Sequence, residues 1–210
     1  MTMPLTLLHT AEEHCRALDA LRDRVAPGML LYHKVRKDWL AQARENGITP
    51  DLAAEVRKTV HRSKGLVMCT CSTLGEIAVE AGAIRIDQPM MEQAAGSDGP
   101  ILLVCALEST VQSSRNLLQV NLRSRDNPAP VILLLVEEFW PLFEAGQPDN
   151  FCAAIAAAVI EAVQARPDIA TVVLAQTSMA NAALLLDGVG PEVLAAPERA
   201  LRSVLELTHG

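Results

Sequence analysis

Val67-Met-Cys-Thr-Cys-Ser-Thr73 decides the reading of the fold: an apolar run passes into polar residues and then, from Leu74, into a segment of helical periodicity. A short, nearly continuous apolar run that leads straight into a helix is what a parallel strand requires when its sheet is covered on both faces. The same succession occurs twice upstream. Leu5–His9 precedes helical Glu12–Val25, Met29–His33 precedes helical Asp38–Ala43 and Leu52–Arg62, and Leu66–Thr70 precedes Leu74–Ala81, which together read as βαβαβ.

After a polar break at Gly96–Gly99 the pattern restarts. Ile101–Ala106, helical Thr110–Leu122, Val131–Val136, helical Asn150–Gln164, Thr171–Ala175 and helical Met179–Leu186 repeat the first half. Pro4-Leu-Thr-Leu-Leu-His9 aligns with Pro100-Ile-Leu-Leu-Val-Cys105, and Val67-Met-Cys-Thr-Cys-Ser-Thr73 aligns with Val172-Val-Leu-Ala-Gln-Thr-Ser178. The matching polar tripeptides after the third strands sharpen the repeat. The expectation is an α/β fold of two pseudo-symmetric lobes, each a mainly parallel sheet flanked by helices. Residues 1–98 form the lobe carrying Cys71, residues 99–195 the lobe carrying Gln176, and residues 196–210 hold a terminal helix, Pro197–Leu207, that packs back on the first lobe.

The chain has 210 residues, of which 50% are hydrophobic, enough to build a large core without disulfides. A net charge of −7, with 18 scattered Lys and Arg residues, excludes the basic stripe that phosphate backbones require. An aromatic content of 3% disfavours stacking platforms for bases or sugars. Five cysteines in no disulfide pattern, together with a start that lacks a basic leader, point to a reducing, cytoplasmic setting. The Ala-rich stretch Phe151–Val163 is broken by Glu161 and falls short of the ~20 apolar residues of a bilayer span. The partner expected is therefore a small molecule, not nucleic acid or membrane; a homo-oligomer is compatible with the sequence.

Ligands of open parallel sheets sit beyond the carboxyl ends of the strands, near free helix N–H groups. That rule selects His9 and Thr10, His33, Cys71–Thr73, Thr110 and Gln176–Ser178. Cys71 stands at a strand end just before a helix, where unpaired N–H groups and the helix dipole favour a thiolate; a buried structural cysteine is the competing reading. Cys69 belongs to the core or the floor of the site. His9 is a candidate proton donor or orienting group, or else a hydrogen-bonded structural residue. His14, His61 and His209 read as surface residues. Ser72, Thr73, Thr110, Thr177 and Ser178 offer hydroxyls and N–H groups suited to a carboxylate, although each would also serve as a helix cap. A Cys-x-Cys pair without third and fourth ligands at zinc-like spacing, in a chain with dispersed histidines, leads us to expect no metal and no cofactor.

His9-Thr10, Cys69-Thr-Cys-Ser-Thr-Leu-Gly75, Arg85-Ile-Asp-Gln-Pro-Met90, Ala106-Leu-Glu-Ser-Thr110 and Ala175-Gln-Thr-Ser-Met-Ala180 resemble motifs of the aspartate/glutamate/hydantoin racemase superfamily. The resemblance runs over nearly the whole chain. It implies two pseudo-symmetric lobes with the active site in the cleft between them, and cofactor-independent chemistry at a carbon next to a carboxylate of an amino or organic acid. Typical racemases of this group present one cysteine from each lobe to opposite faces of that carbon. Cys71 matches the first, whereas Gln176 occupies the position of the second, and a neutral amide cannot act as a general acid or base. His9-Thr10 stands where amino-acid racemases of the superfamily usually carry an Asp-Ser pair. Members with one cysteine include decarboxylases. The resemblance thus implies an isomerase or lyase with Cys71 as acid, base or nucleophile, Gln176 orienting the substrate, and Thr10, Ser72, Thr73, Thr110, Thr177 and Ser178 holding carboxylate oxygens. The alternative on the same fold is a non-catalytic or regulatory binder of small carboxylates.

Overall fold

The computed structural model describes residues 4–209, with side chains described through Leu207. In the first half, β1 (Leu5–His9), α1 (Glu13–Val25), β2 (Leu31–Val35), α2 (Lys37–Asn46), α3 (Pro50–His61), β3 (Leu66–Cys69), α4 (Gly75–Glu80) and β4 (Ile84–Arg85) follow in order. After α5 (Gln88–Ala94) come β5 (Ile101–Cys105), α6 (Glu108–Ser124), β6 (Val131–Leu135), α7 (Trp140–Glu144), α8 (Pro148–Ala165), β7 (Thr171–Leu174), α9 (Ala182–Leu185), β8 (Glu192–Ala195) and α10 (Ala196–His209). The strands form two four-stranded, all-parallel sheets, ordered β2-β1-β3-β4 and β6-β5-β7-β8.

The chain divides into two compact units. One runs to Gln88 and resumes at Pro197, so it takes in nearly all of α10; the other is Pro89–Ala196. The two sheets repeat each other down to their register: Leu5 pairs with Leu66 across β1 and β3, as Ile101 pairs with Thr171 across β5 and β7. Of the inner strands, β1 and β5 are wholly buried, which is why they read as continuous apolar runs and not as alternating ones.

Helices take their places from their apolar stripes. In α1 the buried residues are His14, Leu18 and Leu21, at i, i+4 and i+7, the spacing of a core-facing stripe. His14 is thus buried, contrary to its expected place on the surface, because the position it occupies belongs to that stripe. His61 is exposed as expected, and the side chain of His209 lies outside the described residues. The α3 helix starts on a cap, with Pro50 in its first turn and the Thr49 hydroxyl accepting the Leu52 N–H at 3.2 Å. At the entry to β3, Gly65 has φ +68°, and a Cβ there would lie 2.1 Å from the Pro4 carbonyl oxygen, so only glycine fits the turn.

Elements that the periodicity does not disclose are β4, α5, α7 and β8. Two-residue β4 is too short to show any period, and β8 is a four-residue edge strand that leads directly into α10. β2 also lies two residues later than Met29–His33, because Met29 and Leu30 lie in the irregular segment between the turn at Pro27 and Gly28 and the strand. Among the described residues no helix is long and apolar enough to cross a membrane.

Candidate functional site

The carboxyl end of the first sheet gathers Thr10, Cys71, Ser72 and Thr73. β3 ends at Cys69, and its line continues as the Thr70 N–H donates to the Leu8 carbonyl at 3.0 Å. Cys71 follows in extended conformation (φ −101°, ψ 112°) and opens a 3₁₀ turn, Ser72–Leu74, that runs into α4. This sharp passage from strand to helix turns the first N–H groups of the turn back toward Cys71, the Leu74 N–H also reaching its carbonyl at 3.2 Å. The Thr73 and Leu74 N–H groups and the hydroxyls of Thr10 and Thr73 hydrogen-bond to it. Thr10, expected to hold a carboxylate, also contacts the thiol directly.

Four donors favour a thiolate, but Cys71 is 8% exposed, and burial outweighs them, so its pKa is raised. The resting group is a neutral thiol, not the thiolate expected from the helix N-terminus alone. Cys69 is core: its Sγ donates to the Cys71 carbonyl at 3.4 Å, and burial pushes its thiol up to about 12.

Behind the 3₁₀ turn stands a buried ion pair. Arg85 Nε and one terminal nitrogen bond the two Asp87 oxygens at 2.8 and 2.7 Å. A Cβ on Gly75 would lie 2.7 Å from Arg85 Nε, so the guanidinium lies flat against the start of α4. Sequence reading quoted both residues but gave them no role. The signal was available in retrospect, because two opposite charges two residues apart in an otherwise apolar stretch are rarely buried unless paired.

His9 does not lie free at the edge of the site. It is fully buried, its Nδ1 lies 2.9 Å from Thr70 Oγ1, and its Nε2 lies 2.9 Å from His33 Nδ1. Burial, then the neighbouring His14 and His33, lower its pKa to about 3, so it is neutral at physiological pH and cannot serve as a cationic proton donor. His33 Nε2 in turn reaches Asp19 Oδ1 at 3.3 Å. The parallel register explains the meeting: His33 pairs with Leu7, so it shares a sheet face with Leu7 and His9.

In the second unit, Gln176 follows β7 in the same way, extended at φ −118° and ψ 143° before the 3₁₀ turn Thr177–Met179. Its Oε1 accepts the Ala106 N–H at 2.6 Å, which pins the amide to the end of β5. Thr177 is buried, and Thr110 is buried in the first turn of α6. The Ser178 hydroxyl is buried and has no hydrogen-bond partner. By the repeat it corresponds to Thr73, whose hydroxyl meets the Cys71 sulfur. A surface pocket of this unit, lined by Ser97, Asp98, Arg125, Asn127 and Pro130 among others, lies at the amino ends of β5 and β6, the opposite end of the sheet from Gln176.

No family model matches the chain, and no curated protein does. Solved structures do. A glutamate racemase from Francisella tularensis, in complex with D-glutamate, is 11% identical over 98% of this chain and 81% of its own, with a TM-score of 0.69. An aspartate racemase homologue from Pyrococcus horikoshii is 14% identical over the whole of both chains at 0.61. Allantoin racemase from Pseudomonas fluorescens is 15% identical over 99% of this chain and 91% of its own at 0.62. The chain has the two-lobed α/β fold of these racemases, as its motifs led us to expect.

Proposed function

We propose that the chain is an enzyme of racemase type that acts, without a cofactor, at the carbon next to a carboxylate of a small amino or organic acid. Cys71 is its acid/base group. The observation that carries this reading is the Cys71 sulfur held by two N–H groups and two hydroxyls where β3 turns into α4. Because burial keeps the resting thiol protonated, Cys71 is suited to deliver a proton to a carbanion formed beside the carboxylate. Where a carboxyl group leaves as carbon dioxide, the electrons of its C–C bond stay on the α-carbon, the S–H proton passes to that carbon, and the thiolate left behind, stabilised by the four donors, regains a proton from solvent. In exchange, that thiolate first takes the α-hydrogen and then returns a solvent-derived proton to the same face. Within the second unit, the Ser178 hydroxyl without a partner, with Thr110 and Thr177, offers hydroxyls of the kind that hold a carboxylate oxygen.

Incubation in deuterated water with a panel of amino acids, hydroxy acids and substituted malonates, followed by mass and optical rotation, tests the reading. Deuterium entering the α-carbon, or carbon dioxide released from a malonate, in the wild type but not in Cys71→Ser supports it. One observation favours a second reading, a binder of small carboxylates without turnover: Gln176 fills the position of the second cysteine and its amide is already engaged. In that case a dicarboxylate protects Cys71 from alkylation while no member of the panel is exchanged or consumed.

A further inference from the structure

His9, His33 and Cys15 place three metal-ligating atoms within 4.8 Å of one another, all in the first unit. The hydrogen bonds around the two imidazoles are consistent with one pair of tautomers. With the Thr70 hydroxyl donating to the Leu8 carbonyl at 3.0 Å, it accepts from His9, and in that arrangement His9 Nδ1 carries the hydrogen. Asp19, a carboxylate, can only accept from His33, so His33 Nε2 carries the hydrogen there. The remaining nitrogens, His9 Nε2 and His33 Nδ1, then face each other with lone pairs 2.9 Å apart. Such a contact is repulsive unless a cation lies beside both nitrogens.

A proton could fill that role between two nitrogens alone, but the third ligand distinguishes this site from a histidine pair. The half-buried Cys15 brings a sulfur to the same point, on the first turns of α1, and the nearby carboxylates of Glu12, Glu13 and Asp19 give the region a negative field. Two imidazole nitrogens and a thiolate suit Zn²⁺, whose tetrahedral bonds of about 2.0 Å to nitrogen and 2.3 Å to sulfur separate neighbouring ligands by roughly 3.3–3.7 Å. The nitrogens are within a few tenths of an ångström of that spacing. The Cys15 sulfur lies within 4.8 Å of both nitrogens and has to move closer when the ion binds. Both histidines already have the outer partner that metal-bound imidazoles require, Thr70 for one and Asp19 for the other.

We propose that His9 Nε2, His33 Nδ1 and Cys15 Sγ bind one Zn²⁺ ion. Binding releases the Cys15 thiol proton to solvent and changes no oxidation state. The ion ties the end of β1 to β2 and α1, and so fixes the residue before Thr10, which touches Cys71. Its existence does not depend on what Cys71 does.

The test uses the full chain stripped with a chelator and dialysed, then titrated with Zn²⁺ against a chromophoric chelator and separately with Co²⁺. One zinc per chain is expected, together with a thiolate-to-cobalt charge-transfer band. Asp19→Asn should weaken binding about 10–100-fold, and Cys15→Ser and His33→Ala should weaken it further, with the cobalt band lost in Cys15→Ser. His61→Ala and Cys71→Ser should bind as the wild type does, which separates this site from the proposed catalytic one. Cys15→Ser is nearly isosteric and half-buried, so it folds even where a histidine variant does not. Failure of the wild type to take up zinc, unchanged affinity in Cys15→Ser, or a cobalt spectrum without the thiolate band would each overturn the proposal.

Discussion

Gln176 occupies in its own sheet the place that Cys71 occupies in the other: each is the second residue beyond the strand beside the central one, each is extended, and each opens a 3₁₀ turn. Equivalent backbones carry unlike chemistry. Cys71 can exchange a proton with carbon, whereas Gln176 has no ionisation to use and spends its oxygen on the Ala106 N–H.

From this inequality we expect one-sided chemistry. Two-base racemisation needs a group of suitable pKa for each face of the carbon, and the resemblance assigns the second to position 176. Wild type should exchange or protonate the α-carbon with retention of handedness. Gln176→Cys should raise racemisation at least about tenfold, below the roughly 10²–10⁴-fold of a well-placed acid or base, because by the repeat the Ser178 hydroxyl, which now lacks a partner, corresponds to the Thr73 hydroxyl that meets the Cys71 sulfur. Chiral chromatography of product formed in deuterated water measures both. Fast racemisation by the wild type would show that another group serves the second face.

The raised pKa of Cys71 makes a pH-dependent claim whose sign follows from its role. As a proton donor Cys71 works while protonated, so kcat/KM should hold through neutral pH and fall as pH rises past the ordinary thiol value toward the higher one that burial imposes. Alkylation, which needs thiolate, should run the opposite way, slow at neutral pH and rising above it. Half-buried Cys15 should therefore be labelled before Cys71 at pH 7 in metal-free protein. Thr10→Val, which removes a donor to the sulfur, should move both profiles to still higher pH. Profiles that report a pKa near 6 would mean that the donors outweigh burial.

Much of the fold was legible because buried parallel strands leave a strong signal. Leu5–His9 and Leu66–Cys69 are apolar runs that pass into polar residues, so their ends, and with them Thr10 and Cys71, could be found without coordinates. What stayed hidden has other causes. β4 is two residues long, and His14 reads as polar although its spacing from Leu18 and Leu21 places it inside. The His9–His33 contact depends on register between two strands, and the order of β1 and β2 in the sheet decides it. Whether a thiol beside a helix N-terminus is ionised is a contest between donors and desolvation, and no spacing of residues reports the depth of burial.

The site should also be fragile behind its reacting group, in a manner that double variants can isolate. Arg85 and Asp87 are 6% and 1% exposed and bonded through both oxygens. Removing one partner leaves the other charge buried without compensation, so Asp87→Ala should destabilise by about 3–5 kcal/mol, whereas replacing both by leucine should cost less than the single change. Gly75→Ala should cost about 1–3 kcal/mol, because its Cβ would press on the guanidinium from 2.7 Å and push the start of α4 off the residues that hold the Cys71 sulfur. If that contact is the cause, the cost of Gly75→Ala should shrink in an Arg85→Met background, where a thin flexible side chain replaces the planar group. Urea midpoints for the four proteins of this cycle measure the coupling, expected at about 0.5–3 kcal/mol, and Cys71 alkylation rates at pH 9 show whether the cradle moves with it. Additive costs, with no change in alkylation, would mean that Gly75 is glycine for a reason other than Arg85.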